Sequence, residues 1–204
     1  MYTDFHTHTV SPANTGKILF SAPFPPDAAE YWSLEIHPWH ELPDTFAGEM
    51  ATKAAAIGEA GLDMCKGISP EKQLYNFHLA CSLAEKNRKP LVLHEVRAFD
   101  SVRKILRGYR LPAILRHGWR SNNIGKLEAA IAENWYISCD PRTPDNIFLY
   151  FHSHPELLPR LALETDDSGA EISTLYRRVS GLLQMREEKL QSLMEKNFNA
   201  FLGI

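Results

Sequence analysis

Cysteine is scarce in this chain, with only Cys65, Cys81 and Cys139 among 204 residues. They are odd in number and widely spaced, and no C-x-x-C pair exists to make a cysteine zinc site. They read as reduced, mostly packed thiols rather than metal ligands or nucleophiles. Long apolar runs are missing too. None approaches the ~18 residues that a membrane-spanning helix needs. The opening Met1-Tyr2-Thr3-Asp4 has neither a basic region nor an apolar stretch, so no signal peptide is expected and a cytoplasmic location is. Nor is there an excess of one charge. Lys and Arg number 22 against 25 Asp and Glu, a net of −3 with His neutral. Contact with a polyanion would therefore have to come from local arginines or a bound metal, and the weak acidity favours a small substrate over long DNA. Linkers, repeats and low-complexity tracts are absent as well, so residues 1–204 are expected to form a single domain.

What is present is an ordinary globular composition, 44% apolar and 23% charged, arranged as short apolar runs alternating with helical patterns. Strand candidates fall at residues 2–6, 18–21, 32–36, 55–58, 91–94, 113–116, 135–139 and 161–164. Ser69-Pro70-Glu71 reads as a helix cap followed by Pro at the first helical position. Beyond it, Leu74, Phe77, Cys81 and Ala84 share one face. Further helices are expected at about 98–107, after a Ser121 cap, around Leu175 and Val179, and along Leu190, Leu193, Met194 and Phe198. Strand–helix alternation argues for a parallel sheet wrapped by helices. Eight strands suggest a compact α/β fold of (β/α)8 TIM-barrel type. Its first crossovers must be shortened, because residues 9–16 and 22–30 are too few for ordinary parallel crossovers. An open site is expected on that side.

Five of the strand candidates end in His, Glu or Asp. His6 and His8, at i and i+2, leave the same face of a strand. Glu59 lies within Gly58-Glu59-Ala60-Gly61-Leu62-Asp63, between glycines that let backbone approach closely. His94 and His117 each follow an apolar run, and Leu161-Ala162-Leu163-Glu164-Thr165-Asp166 closes on a carboxylate. Barrel enzymes build their sites at such strand ends. Four imidazoles and two carboxylates suit one or two divalent ions of the Zn, Mn or Mg kind. Arg97, Arg120 and Arg142 follow strand ends on the same rim, where their planar donor forks could hold phosphate oxygens. His37 is a further candidate to line the site. His40, His78, His152 and His154 read as structural.

In that order the motifs resemble the TatD family of metal-dependent hydrolases, in the amidohydrolase superfamily. The matching segments are Asp4-Phe5-His6-Thr7-His8, Ile36-His37-Pro38-Trp39, Gly58 through Asp63, Pro90 through Arg97, Arg116-His117-Gly118-Trp119 and Glu164-Thr165-Asp166, with Asn197 near the end. The resemblance implies a (β/α)8 barrel with a one- or two-metal site. In it His6 and His8 bind one metal, Glu59 bridges, His94 and His117 bind the second, and Asp166 binds metal and accepts the proton of the attacking water. It implies outer roles for Asp63 and Glu164, which would orient the ligands. Phosphodiester hydrolysis, as in deoxyribonucleases, is the implied activity. DNA ends or a small phosphorylated substrate would be the partner, with no membrane and no obligate protein partner. The chain departs from the family pattern in its short early segments and in Asp167-Ser168, where Pro is usual. Hydrolysis of a small ester, amide or lactone is the main alternative. A PHP-type phosphoesterase and a non-catalytic metal-binding interaction module are further ones.

Overall fold

The computed structural model describes residues 1–9, 16–27, 29–42, 46 and 48–204. Among the described residues there are eight strands: β1 (Asp4–Thr7), β2 (Ile18–Ala22), β3 (Tyr31–Ile36), β4 (Ala56–Asp63), β5 (Leu91–Val96), β6 (Ile114–Arg116), β7 (Tyr136–Cys139) and β8 (Leu161–Leu163). They follow one another in chain order in one sheet, and the pairings are parallel. The fold is the expected (β/α)8 barrel. Helices α1 (Met50–Lys53), α2 (Pro70–Asn87), α3 (Phe99–Leu106), α4 (Ile124–Ala132) and α5 (Asp145–Ser153) lie in the crossovers from β3 onward, with a 3-10 helix at Pro155–Arg160, and α6 (Ile172–Leu182) and α7 (Glu187–Leu202) follow β8. The chain divides into two compact units, Met1–Phe20 with His117–Ile204, and Ser21–Arg116.

The early crossovers are indeed thin. Part of the segment after β1, residues 10–15, lies outside the described residues. Among the described residues there is no helix in 23–30, and between β3 and β4 the single turn α1 is the one helix.

In the unit made of the two chain ends, β1 lies between the start of β2 and the end of β8. Asp4 pairs with Ile18, and Thr7 bridges to Asp166. The α7 helix covers this sheet. Phe198 meets Phe5 edge-on at 5.3 Å, and Phe201 meets Tyr136 at 5.5 Å. Asn197, buried in α7, donates its amide to the carbonyls of Leu158 and Leu161, at 2.8 and 2.7 Å. That contact holds the start of β8 to the helix. Helix α5 had no counterpart in the sequence reading, although Ile147, Phe148 and Phe151 are buried at helical spacing. The cap of α4 is Asn123, which accepts from Lys126 N at 3.0 Å, rather than Ser121.

In the other unit, Ser69 caps α2 and Pro70 opens it. Phe77, Cys81 and Ala84 are buried, but Leu74 is 41% exposed. Gln73 occupies the inward position instead, and its amide serves the turn after β4. It accepts from Asp63 N at 2.8 Å and donates to Asp63 O and Ile68 O at 3.1 and 2.9 Å. A buried amide that satisfies several backbone groups is worth more there than a leucine. Strand β4 runs to Asp63, so Glu59 stands inside it rather than at its end. Gly58 and Gly61 are required. Both have positive φ, +114° and +156°, and a Cβ would stand 2.2 Å from Val92 O and 1.8 Å from His94 O. Three steps along β4, from Ile57 to Ala60, match two along β5, from Leu91 to Leu93. The extra residue in that bulge re-aims the Glu59 side chain.

Asp4 supplies a test of the first unit. Its carboxylate is fully buried and accepts from Thr165 N at 3.0 Å and Thr165 Oγ1 at 2.6 Å. Burial pushes its pKa up to about 7, against the pull of those hydrogen bonds. The folded value lies above the unfolded one, so Asp4 favours the fold at low pH. That advantage is lost as pH rises from about 4 to about 7. Relative to Asp4→Asn, the wild-type chain should lose at most roughly 4 kcal/mol of unfolding free energy across that interval and none above it. Urea melts of both proteins at a series of pH values, in chelator, measure the difference. A difference independent of pH refutes the assignment.

Candidate metal centre

In the first unit, the donors come from strand ends brought side by side. Asp166 N donates to the His6 carbonyl at 3.0 Å, which anchors the chain after β8 against β1. Asp166 has φ +52°, a left-handed conformation that short polar residues tolerate best. His6 is fully buried and His8 partly so. Their rings meet edge-on at 4.9 Å, and the His117 ring lies 4.6 Å from that of His6. Nε2 of His6 and Nε2 of His8 stand 3.7 and 3.8 Å from Oδ1 of Asp166. Those gaps are too long for hydrogen bonds. They are close to the ~3.4 Å between two ligands of one tetrahedral ion with bonds of ~2.1 Å. His117, Glu164 and Asp166 form a second cluster whose ligand atoms lie within 4.8 Å of one another. There Glu164 Oε1 accepts from Gly118 N at 2.5 Å and faces His117 Nδ1 at 3.4 Å. Burial works against the Glu164 carboxylate, but the imidazoles of His117 and His6 prevail and hold it ionised below the usual range.

In the second unit, Glu59 collects two imidazoles. Its Oε1 is 3.0 Å from His37 Nε2 and in short contact with His94 Nδ1. His37 Nδ1 accepts from Trp39 N at 3.1 Å. The neutral ring therefore carries its proton on Nε2 and donates it to Glu59. His94 Nε2 lies 3.3 Å from Asp63 Oδ2, which also accepts the Trp39 indole N–H at 2.8 Å. Burial disfavours the Asp63 anion, but the Trp39 indole, the Cys65 amide and His94 outweigh it and lower the pKa. His37, Glu59 and His94 have ligand atoms within 4.8 Å of one another. Imidazole and carboxylate donors at such separations fit a borderline divalent ion. The two buried thiols do not compete. Burial pushes Cys81 up to about 12 and Cys139 well above its ordinary value.

The three arginines differ. Arg97 is exposed, with φ +54°, and has no ion-pair partner among the described residues. Arg120 and Arg142 each donate Nη2 to Asp166 Oδ2, at 2.8 and 3.0 Å, and Nε to Asp140 Oδ2, both at 2.9 Å. Arg142 also reaches Asp167 at 2.7 Å. Sequence reasoning did not single out Asp140, although the carboxylate ends the 135–139 run as visibly as those it did select.

Three of the four histidines read as structural are occupied locally, while the His40 ring lies 5.7 Å from that of His37. His78 pairs with the Tyr109 hydroxyl, His152 with the Leu183 carbonyl and His154 with the Tyr150 carbonyl.

Residues 13–203 match the family described as TatD related DNase. The chain belongs to that family. It is a metal-dependent hydrolase. Comparison with curated proteins gives no match. Among solved structures, the fold is similar to YjjV, a TatD homolog from Escherichia coli K12. The TM-score is 0.77 at 18% identity, over 100% of this chain and 98% of that one. It is also similar to a hydrolase TatD family protein from Entamoeba histolytica, with a TM-score of 0.62 at 16% identity over 75% and 64%.

Divalent ions are expected to bind the fold and not the unfolded chain. Mn²⁺ or Zn²⁺ added to ion-free protein at ~100 times its Kd should stabilise it by roughly 2.7 kcal/mol. Most of that gain should vanish in His6→Ala and in Glu59→Gln. An undiminished shift of the thermal midpoint in both variants would place the ions elsewhere.

Proposed function

We propose that this hydrolase cleaves phosphodiesters, acting on DNA ends or a small phosphorylated substrate with one or two divalent ions. The observation that carries the reading is Asp166. Its carboxylate stands between two imidazoles on one oxygen and two guanidiniums on the other. A divalent ion held by that carboxylate and the imidazoles would suit a phosphate ester, whose reacting oxygens it would neutralise, while the guanidiniums fix the carboxylate. The roles follow the family resemblance. His6 and His8 would hold one ion, His94 and His117 the other, and Glu59 would bridge, with His37 donating to the same carboxylate. Asp63 and Glu164 would fix the His94 and His117 rings. Held there, a divalent ion would supply Lewis-acid chemistry, lowering the pKa of a water and offsetting charge on the departing oxygen. Asp166 would take the proton of that water. Arg97, which alone of the three rim arginines has no carboxylate partner among the described residues, would hold the part of the phosphate that faces solvent.

One observation favours a neutral ester, amide or lactone instead. Arg120 and Arg142 already face three carboxylates, Asp140, Asp166 and Asp167. Their charge is not free for a substrate.

The test compares bis(p-nitrophenyl) phosphate with p-nitrophenyl acetate in Mn²⁺, Mg²⁺ or Zn²⁺. Excess chelator should abolish turnover, and Asp166→Asn should reduce kcat far more than it raises KM. Arg97→Ala should cost ~1–3 kcal/mol in kcat/KM for the phosphodiester and little for the acetate. Equal losses on both substrates, or turnover of the acetate alone, would move the assignment to the ester reading.

A further inference from the structure

Asp140 is fully buried at the end of β7. Part of its role is local. Oδ1 accepts from Arg142 N at 2.7 Å, and Asp140 N donates to Thr143 Oγ1 at 3.0 Å, closing a turn through Pro141. That turn uses one oxygen only. The other, Oδ2, takes Nε of both Arg120 and Arg142 at 2.9 Å. Each guanidinium, anchored there, sends its Nη2 to the same atom, Oδ2 of Asp166. The four side chains form a ring in which two carboxylate oxygens are joined by two parallel forks. Oδ1 of Asp166 is left facing His6 and His8.

The arginine side chains are 45% and 42% exposed. Exposed pairs usually contribute little stability, so stability alone is a weak reason for this ring. Its geometric effect is larger. The terminal torsion of an aspartate is broad and roughly two-fold, and its two oxygens interchange unless something distinguishes them. The ring distinguishes them.

We propose that Asp140 is a positioning residue for the metal-binding carboxylate. Through Arg120 and Arg142 it fixes the rotation of Asp166, so that Oδ2 is held by guanidinium and Oδ1 is delivered to the His6–His8 pair as the donor. This rests on the reading of Asp166 as a metal ligand. The planar fork is essential to it, because one ammonium cannot span both carboxylates as a guanidinium does.

The experiment titrates ion-free protein with Mn²⁺ alone by calorimetry, without substrate, and follows folding by circular dichroism. Asp140→Asn retains the turn through its side-chain carbonyl oxygen but presents an uncharged NH2 donor to the guanidiniums in place of the Oδ2 acceptor. The double variant Arg120→Lys with Arg142→Lys keeps the charges and loses the forks. Asp166→Asn is the reference. Both test proteins should bind Mn²⁺ roughly 10–100-fold more weakly, and Asp166→Asn at least as weakly as they do. A purely structural Asp140 would lower the melting temperature and leave Mn²⁺ affinity at the wild-type value, and that result overturns the proposal while the ligand reading stands. Wild-type affinity in Asp166→Asn overturns the ligand reading, and this inference with it. If Asp140→Asn does not fold, the double lysine variant decides in the same way.

Discussion

One backbone hydrogen bond, from Asp166 N to His6 O, governs the donor set of the unit formed by the two chain ends. The partners are 160 residues apart, so the contact closes a very long loop, and its entropic cost must be met by what surrounds it. The surroundings are Asp4 gripping Thr165 through two hydrogen bonds, Tyr176 spanning the Thr3 amide and carbonyl, and Phe5 packed under Phe198. Asp4 pays for its burial in desolvation, yet it is the group that locks β1 to the segment after β8. With that lock in place, His6, His8 and Asp166 are presented together without further adjustment.

The second unit meets the same requirement by a different device. Glu59 is aimed by a bulge within β4, which exists because Gly58 and Gly61 permit backbone to approach β5 where any side chain would collide. His37 and His94 then converge on the carboxylate, and Asp63 holds the far side of His94. Gln73 holds Asp63 in turn through its main chain. The order of dependence runs from α2, through one buried amide, to an imidazole.

Much of this could be read from the residues. All eight strands were legible, because each is a short apolar run between turn signals. Candidate donors stood out because five such runs lead into His, Glu or Asp, and a packed core gives no reason for that recurrence, although Glu59 lies inside β4 rather than at its end. The glycines flanking Glu59 marked a close approach correctly. The misses share a cause. Leu74 fits the periodicity of α2 and is outside, whereas Gln73 is inside because backbone groups of a neighbouring turn need it. Asn123 caps α4 although Ser121 has the right chemistry two residues earlier. The ring of Arg120, Asp140, Arg142 and Asp166 draws on segments scattered over 47 positions. No local pattern encodes it; the register of β7 against β8 brings its two carboxylates together, and Arg120 reaches them from the segment after β6. Periodicity reports which face is apolar; it does not report which polar group a distant turn will require.

The fate of the three sulfurs has a practical side. Cys81 and Cys139 are buried and held protonated, while Cys65 is exposed. Its backbone amide donates to Asp63 Oδ1 at 2.8 Å, in the same turn where Lys66 lies 3.4 Å over the Trp39 ring. An alkylating dye applied to the native protein will therefore attach at one position only. That position sits two residues from the carboxylate that steadies His94, beside an indole able to quench or transfer excitation. The wild-type chain carries its own fluorescent reporter position for this corner of the fold, with no cysteine to add or remove.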